Sequence, residues 1–200
     1  MTNSKNSSEQ GINKQEKLEA DLVSKFSDSL TRRNSLAWKE QGLCYEVTSA
    51  DSFHQIMSTL KSDPAFAFNM LIDVTCVDWL DAEEKRFEVV YQLLSIVHFH
   101  RLCIKVRLAE SSPKVTSVRD LWASANFMER EVYDLFGIDF EGHGDLRRIL
   151  MYDEFVGHPL RKDYPLRGKQ PRVKLRVPEL RNTSADLSRD QLVSLPTRRG

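Results

Sequence analysis

The 200-residue chain contains no long apolar run. A membrane-crossing helix needs about 20 mostly apolar residues. The most apolar stretches, Phe87–Val97 and Leu102–Leu108, are short and are interrupted by Glu88, Gln92, Lys105 and Arg107. Cysteine is scarce: Cys44, Cys76 and Cys103 are odd in number, widely spaced, and include no C-x-x-C. A disulfide framework, a thiolate zinc site and an iron–sulfur site therefore lack support, and a reducing cytosol is the expected setting. The N-terminus has no apolar core for a secretory signal, and its first 21 residues hold Glu9, Glu16, Glu19 and Asp21 but no arginine. Those features oppose a mitochondrial presequence. There is no G-x-G-x-x-G loop and no G-x-S-x-G elbow, which removes the usual sequence marks of a dinucleotide site and of a serine hydrolase. Gly142-His143-Gly144 has neither the spacing nor the preceding strand of a phosphate loop.

The chain also lacks net charge, with 29 basic and 29 acidic residues, but the balance is uneven. Residues 1–160 carry a net −7 and residues 161–200 a net +7. A basic end on an acidic body suits docking against an acidic surface, its own or a partner's. Tyr164 is the only aromatic residue beyond 160, so the stacking platform of a single-strand nucleic-acid binder is missing. The basic arm is read as partner-bound or solvated, with no nucleic acid.

Residues 1–14 are polar and are expected to be a disordered tail. Leu18, Leu22, Phe26 and Leu30 recur every four residues and predict a helix over 14–30. Leu43–Ser49 reads as a short strand. Asp51 or Ser52 is the expected cap of a helix through Leu60, with Phe53, Ile56, Met57 and Leu60 inward and Pro64 as its stop. Three strands follow: Met70–Trp79, Arg86–Val97 and His100–Leu108. The last alternates cleanly, with Leu102, Ile104, Val106 and Leu108 on one side and Arg101, Cys103, Lys105 and Arg107 on the other, the mark of a sheet with one wet face. Thr116 or Ser117 is the expected cap of a helix from Val118 to Phe136. Leu121, Ala125, Met128, Val132, Leu135 and Phe136 form its stripe, and Gly137 terminates it. Arg130 and Asp134 are expected as an exposed ion pair opposite that stripe.

These elements predict an α+β fold: two layers, a mainly antiparallel sheet of about four strands with helices on one face, and an extended C-terminal arm. The expected organisation is a tail (1–14), the α+β domain (15–140), a loop segment meeting a partner (141–170) and a basic arm (171–200).

The segment from Glu129 to Leu166 is the most informative. A connection this long without regular structure is usually functional or partner-bound. His143, Asp145 and His158 with Glu154 form one conceivable metal set, but their spacing matches no zinc signature. The simpler reading pairs Asp145 with Arg147 and Arg148, and Asp163 with Arg161 and Lys162, as structural ion pairs. Phe127, on the outward side of the helix, is read as covered by the following loop or pressed against another protein.

Ala125-Asn126-Phe127-Met128-Glu129-Arg130-Glu131-Val132-Tyr133-Asp134-Leu135-Phe136-Gly137-Ile138 resembles the signature of the 30 kDa subunit (the C subunit) of respiratory NADH:quinone oxidoreductase, complex I. So do Gly142-His143 with Asp145-Leu146-Arg147-Arg148-Ile149-Leu150, and Gly157-His158-Pro159-Leu160-Arg161-Lys162-Asp163-Tyr164-Pro165. The resemblance covers about residues 20–170. Two positions depart from the family pattern: Phe127 stands where Trp is usual, and Gly144 where Pro is usual, which loosens the turn after His143.

The resemblance implies a peripheral-arm subunit with a structural and assembly role beside the quinone-site subunit (the D subunit) and near iron–sulfur subunits. It implies no catalytic, cofactor or metal site in this chain, since NADH, FMN, iron–sulfur clusters and quinone belong to other subunits. It implies indirect association with the cytoplasmic side of a bacterial inner membrane, with the quinone-site subunit as a separate chain. The expected partner interface comprises Phe127, Glu129, Arg130, Glu131, Asp134, His143, Asp145, Arg147, Arg148, His158, Arg161, Lys162, Asp163 and Tyr164. The alternatives are the equivalent subunit of a ferredoxin-driven dehydrogenase or membrane-bound hydrogenase, and a free-standing metal enzyme using His143 and His158.

Overall fold

The alternation in His100–Leu108 sets the architecture. In the computed structural model, which describes residues 3–33, 42–80, 84–167 and 170 (residues 3–14 as backbone only), this strand lies at the centre of a five-stranded sheet. The sheet strands are β1 (Leu30–Arg32), β2 (Leu43–Val47), β3 (Met70–Asp78), β4 (Phe87–Ser95) and β5 (His100–Leu108), in the order β1-β2-β5-β4-β3. The β3–β4–β5 meander is antiparallel, whereas β2 joins β5 in parallel. The sheet therefore has one strand more than the sequence suggested and one parallel joint. β1 escaped notice because three residues carry no periodicity.

Helices α1 (Asn3–Phe26), α2 (Ala50–Ser62) and α3 (Ala125–Phe136) supply the other layer. Leu18 and Leu22 of α1, the predicted quartet Phe53, Ile56, Met57 and Leu60 of α2, and Ala125, Val132 and Phe136 of α3 are buried against one face of the sheet. That face contributes Tyr45, Tyr91, Val89, Ile104 and Val106. At about 25 cal/mol per Å² of apolar area removed from water, this single core is the main source of stability.

Local corrections have physical causes. α1 starts at Asn3 rather than at Lys14, so residues 3–14 of the expected tail are helical; no proline interrupts them, although Asn and Ser, weaker helix formers, predominate there. Ser49, not Asp51 or Ser52, caps α2, its side chain accepting from the Asp51 amide. α3 begins at Ala125, not Val118. The residues before it are held in turns by tertiary contacts: Val118 is fully buried and its amide goes to Glu129, and the Trp122 indole donates to the Phe68 carbonyl. A small parallel pair, β6 (Lys114–Thr116) with β7 (Asp139–Glu141), brackets α3 at both ends. The basic arm expected over 171–200 lies outside the described residues.

Candidate functional site

α3 carries three acid and base side chains that a two-layer helix would normally expose. Glu129, Arg130 and Asp134 are buried. Arg130 and Asp134 each fix a different part of the segment 143–163, and Glu129 fixes the turn before the helix. All three were expected at a partner interface.

At the N-terminal end, the Glu129 carboxylate accepts from Ser117 Oγ at 2.5 Å and from the Val118 amide at 2.8 Å. Burial is the largest influence on this carboxyl and pushes its pKa up to about 7, against the two hydrogen bonds that favour the anion. His143, also buried, donates from Nε2 to the Asn126 carbonyl at 3.1 Å and accepts at Nδ1 from the Asp145 amide at 3.3 Å. A carbonyl only accepts and an amide only donates, so the contacts assign the ring proton to Nε2. The Arg119 guanidinium binds the His143 carbonyl. The turn after His143 needs Gly144, whose φ is +82°. Proline, locked near about −65°, has no access to that conformation.

At the middle, Arg130 donates to the carbonyls of Arg147 and Arg148, both at 3.2 Å. Asp134 accepts the amides of Ile149, Leu150 and Met151 at 3.1, 2.8 and 2.8 Å, and Arg148 at 2.7 Å. Burial alone would raise the Asp134 pKa; the three amides and Arg148 outweigh it and hold the carboxyl below its ordinary value. The expected exposed Arg130–Asp134 pair is therefore replaced by two separate clamps on the segment.

At the C-terminal end, four carbonyls that a helix leaves without internal partners are taken by the same segment. His158 Nδ1 donates to Asp134 O at 2.9 Å, and the Leu160 amide donates to Leu135 O at 3.1 Å. Arg161 donates to Phe136 O and Gly137 O. Gly137, at φ +73°, permits this approach, because a Cβ there would lie 2.5 Å from His158 Nε2. The cationic Arg161 also suits the negative end of the helix dipole.

A second anchor was not visible in the sequence. Arg86, buried at the start of β4, pairs with both oxygens of Asp78 at 2.8 Å, with Asp163 at 2.8 Å and with Glu110 at 2.6 Å. Asp78 in turn accepts the Lys162 amide at 2.7 Å. Arg86 and Arg161 both lie over the Phe87 ring, with guanidinium carbons 5.0 Å from its centroid. Asp163 thus pairs with Arg86 rather than with Arg161 or Lys162. Of the expected pairs, Arg147–Asp145 forms at 3.3 Å, while Arg148 goes to Asp134. A lone arginine ahead of an apolar run carries no signal of such a role.

The two histidines of the metal reading bind carbonyls at opposite ends of α3, Asn126 and Asp134, about 12 Å apart at 1.5 Å per residue. Among the described residues no cluster of three or more His, Cys, Asp or Glu side chains is placed to hold a metal. The fold does not bring that constellation together.

With the clamps satisfied internally, the segment exposes apolar side chains among charged ones that include Asp153, Glu154 and Asp163. Leu150 is 56%, Val156 66% and Leu160 51% exposed, beside exposed Arg147, Lys162, Asp145 and Tyr152. Phe127 is 59% exposed with the Arg130 guanidinium over its ring, and Glu131 is exposed. The patch is rigid from beneath: Phe155 packs on Tyr152 and Tyr164, and Gln170 brackets Val156 through its amide and carbonyl. Among the described residues no helix is long and apolar enough to cross a membrane.

The sequence pattern of the family described as respiratory-chain NADH dehydrogenase, 30 Kd subunit, matches residues 47–170. The chain belongs to this family. The 30 kDa subunit family match runs from the last residue of β2 through the whole clamped segment. Among relatives, the NADH-quinone oxidoreductase C subunit of Geobacter metallireducens is 52% identical over 57% of this chain and 69% of its own length. That of Polynucleobacter asymbioticus is 44% identical over 68% of this chain and 70% of its own. A solved structure, described as Nqo5 of a trypsin-resistant fragment (1-134), superposes with a TM-score of 0.56 at 37% identity, covering 65% of this chain and 99% of that one. A chain of an archaeal membrane-bound sulfane sulfur reductase shares the fold, with a TM-score of 0.59 at 23% identity. The relatives favour the quinone oxidoreductase reading over the ferredoxin-driven and hydrogenase alternatives.

Proposed function

We propose that this 30 kDa subunit family member is the C subunit of a proton-pumping NADH:quinone oxidoreductase and contributes surface rather than chemistry. It sits in the peripheral arm on the cytoplasmic side of a bacterial inner membrane. It binds no cofactor itself, and NADH, FMN, iron–sulfur clusters and quinone are held by other subunits. The clamped segment 145–166 is its docking face for the quinone-site subunit.

One observation carries the reading. Two of the three buried charges of α3, Arg130 and Asp134, hold the segment, and the segment exposes Leu150, Val156 and Leu160 among charged residues that include Arg147, Asp153, Glu154 and Lys162. Exposed apolar residues interspersed with charged ones, on a segment held from beneath, suit a protein interface. Arg148 and Arg161 do not contribute to it, because they cap and clamp within the chain.

Charge reversal of Arg147 and Lys162 together tests the role at the rim. Blue-native electrophoresis of mildly solubilised membranes, with an antibody to this chain, should show less assembled complex and more free subunit, because rim charges mainly govern association. Unchanged assembly would argue against this face as the docking surface.

A further inference from the structure

The face of the sheet turned away from the helices holds a second, smaller buried cluster: Cys44, Val90 and Cys103, with Val77 packed against it. Cys44 on β2 and Cys103 on β5 are register partners across the parallel joint. Neighbouring strands lie about 4.8 Å apart, inside the span of roughly 4.4–6.8 Å that disulfide-linked Cα atoms require. Both side chains project to the same face, and both are free thiols. The register sets the two thiols side by side on that face. Cys76, the third cysteine, lies in the main core on the opposite face.

The surroundings divide the labour between the pair. The neighbouring Cys103 thiol, with the positive charges of Lys105 and Arg33, lowers the Cys44 pKa against the opposing effects of burial and Glu88. Cys103 is held as the protonated thiol by the same contact and by burial. A cleft of about 210 Å³, lined by Gly42, Leu43, Gln92, Arg101 and Cys103 among others, reaches the pair at Cys103, with Cys44 behind it across the strand joint. It admits a small polar oxidant of the size of a few waters.

We propose that Cys44 and Cys103 form a peroxide-sensitive dithiol that closes to a disulfide across the β2–β5 joint. The Cys44 thiolate attacks one oxygen of hydrogen peroxide; the S–O bond forms, the O–O bond breaks, and hydroxide leaves. Cys103 then attacks the sulfur of the Cys44 sulfenic acid; the S–S bond forms and the S–O bond breaks. The Cys103 proton and one solvent proton convert the departing oxygens to water, so two thiols and one peroxide give one disulfide and two waters. The product staples β1–β2 to the β3–β4–β5 meander, at the only parallel joint of that sheet. This site is independent of the docking face on the helix layer.

The reduced full-length chain is treated with hydrogen peroxide, alkylated under denaturing conditions and digested with trypsin without reduction. Lys61, Arg101 and Lys105 place the three cysteines on separate peptides. Free thiols should fall from three to one per chain, with the Cys44 and Cys103 peptides recovered joined and Cys76 alkylated. In Cys103→Ser, Cys44 should stop at the sulfenic acid and be trapped by dimedone; in Cys44→Ser, oxidation of Cys103 should slow at least tenfold. Three persisting thiols, linkage through Cys76, links between chains, or equal oxidation of Cys103 in Cys44→Ser would each overturn the proposal.

Discussion

Asp134 and Arg148 meet at 2.7 Å with the carboxylate fully buried, and the same carboxylate gathers the amides of Ile149, Leu150 and Met151. One side chain of α3 thus dictates the path of the chain beyond β7. Replacing Asp134 with Ala leaves one guanidinium and three amides without their acceptor. Losing one partner of a buried charged pair costs about 3–5 kcal/mol. Urea unfolding of Asp134→Ala should show a loss of that order, and limited proteolysis should cut first within 147–156.

Gly137→Ala should destabilise through both backbone and contact. Its φ of +73° disfavours any L side chain, and the added Cβ would lie 2.5 Å from His158 Nε2. The expected loss exceeds about 1 kcal/mol, the usual scale for an incompatible Gly→Ala change, and the melting temperature reports it. Gly137→Ala combined with His158→Ala should lose less than the two single changes summed, because the clash is shared.

Arg86 joins the meander to the far end of the segment. Arg86→Ala strands Asp78, whose side chain is buried, and should cost about 3–5 kcal/mol. Arg86→Lys should recover little, because a lysine lacks the fork that meets both oxygens of Asp78 and reaches Asp163. Chemical denaturation of the pair of variants checks this.

The strands β3, β4 and β5, the inner face of α2 and the end of α3 were legible because apolar period decides them. β1, β6 and β7 were not, since three-residue strands exist only through their neighbours. The start of α3 was misread because Ser117 looks like a cap in sequence yet gives its hydroxyl to Glu129 twelve residues on. The site was half legible. The dense charges of 129–164 announced a function, but their partners did not follow from proximity in sequence. Asp163 bypasses Arg161 and Lys162 for Arg86, and Arg148 bypasses Asp145 for Asp134. Long-range pairing of this kind is set by the sheet and helix layers, which bring β4 and α3 under the segment.

Glu129 should make stability pH-dependent. Its pKa is raised from an ordinary 4.5 to about 7 in the folded chain. The folded state therefore binds the proton more tightly than the unfolded one. This contribution is fully present below about pH 4.5 and is lost as pH rises through about 7, at about 1.4 kcal/mol per pKa unit. Unfolding free energy measured from pH 5 to 8 should decline more steeply in the wild type than in Glu129→Gln, whose side chain does not titrate. Parallel profiles would show that Glu129 stays ionised throughout.

If the clamped segment docks the quinone-site subunit, equilibrium binding of the full-length chain to that partner should separate the wild type from a Leu150→Asp, Val156→Asp variant. Both positions are exposed, so the variant should melt within a few degrees of the wild type. At least a tenfold loss of affinity is expected, because charge would enter the apolar part of the interface. Equal affinity of a folded variant would contradict it.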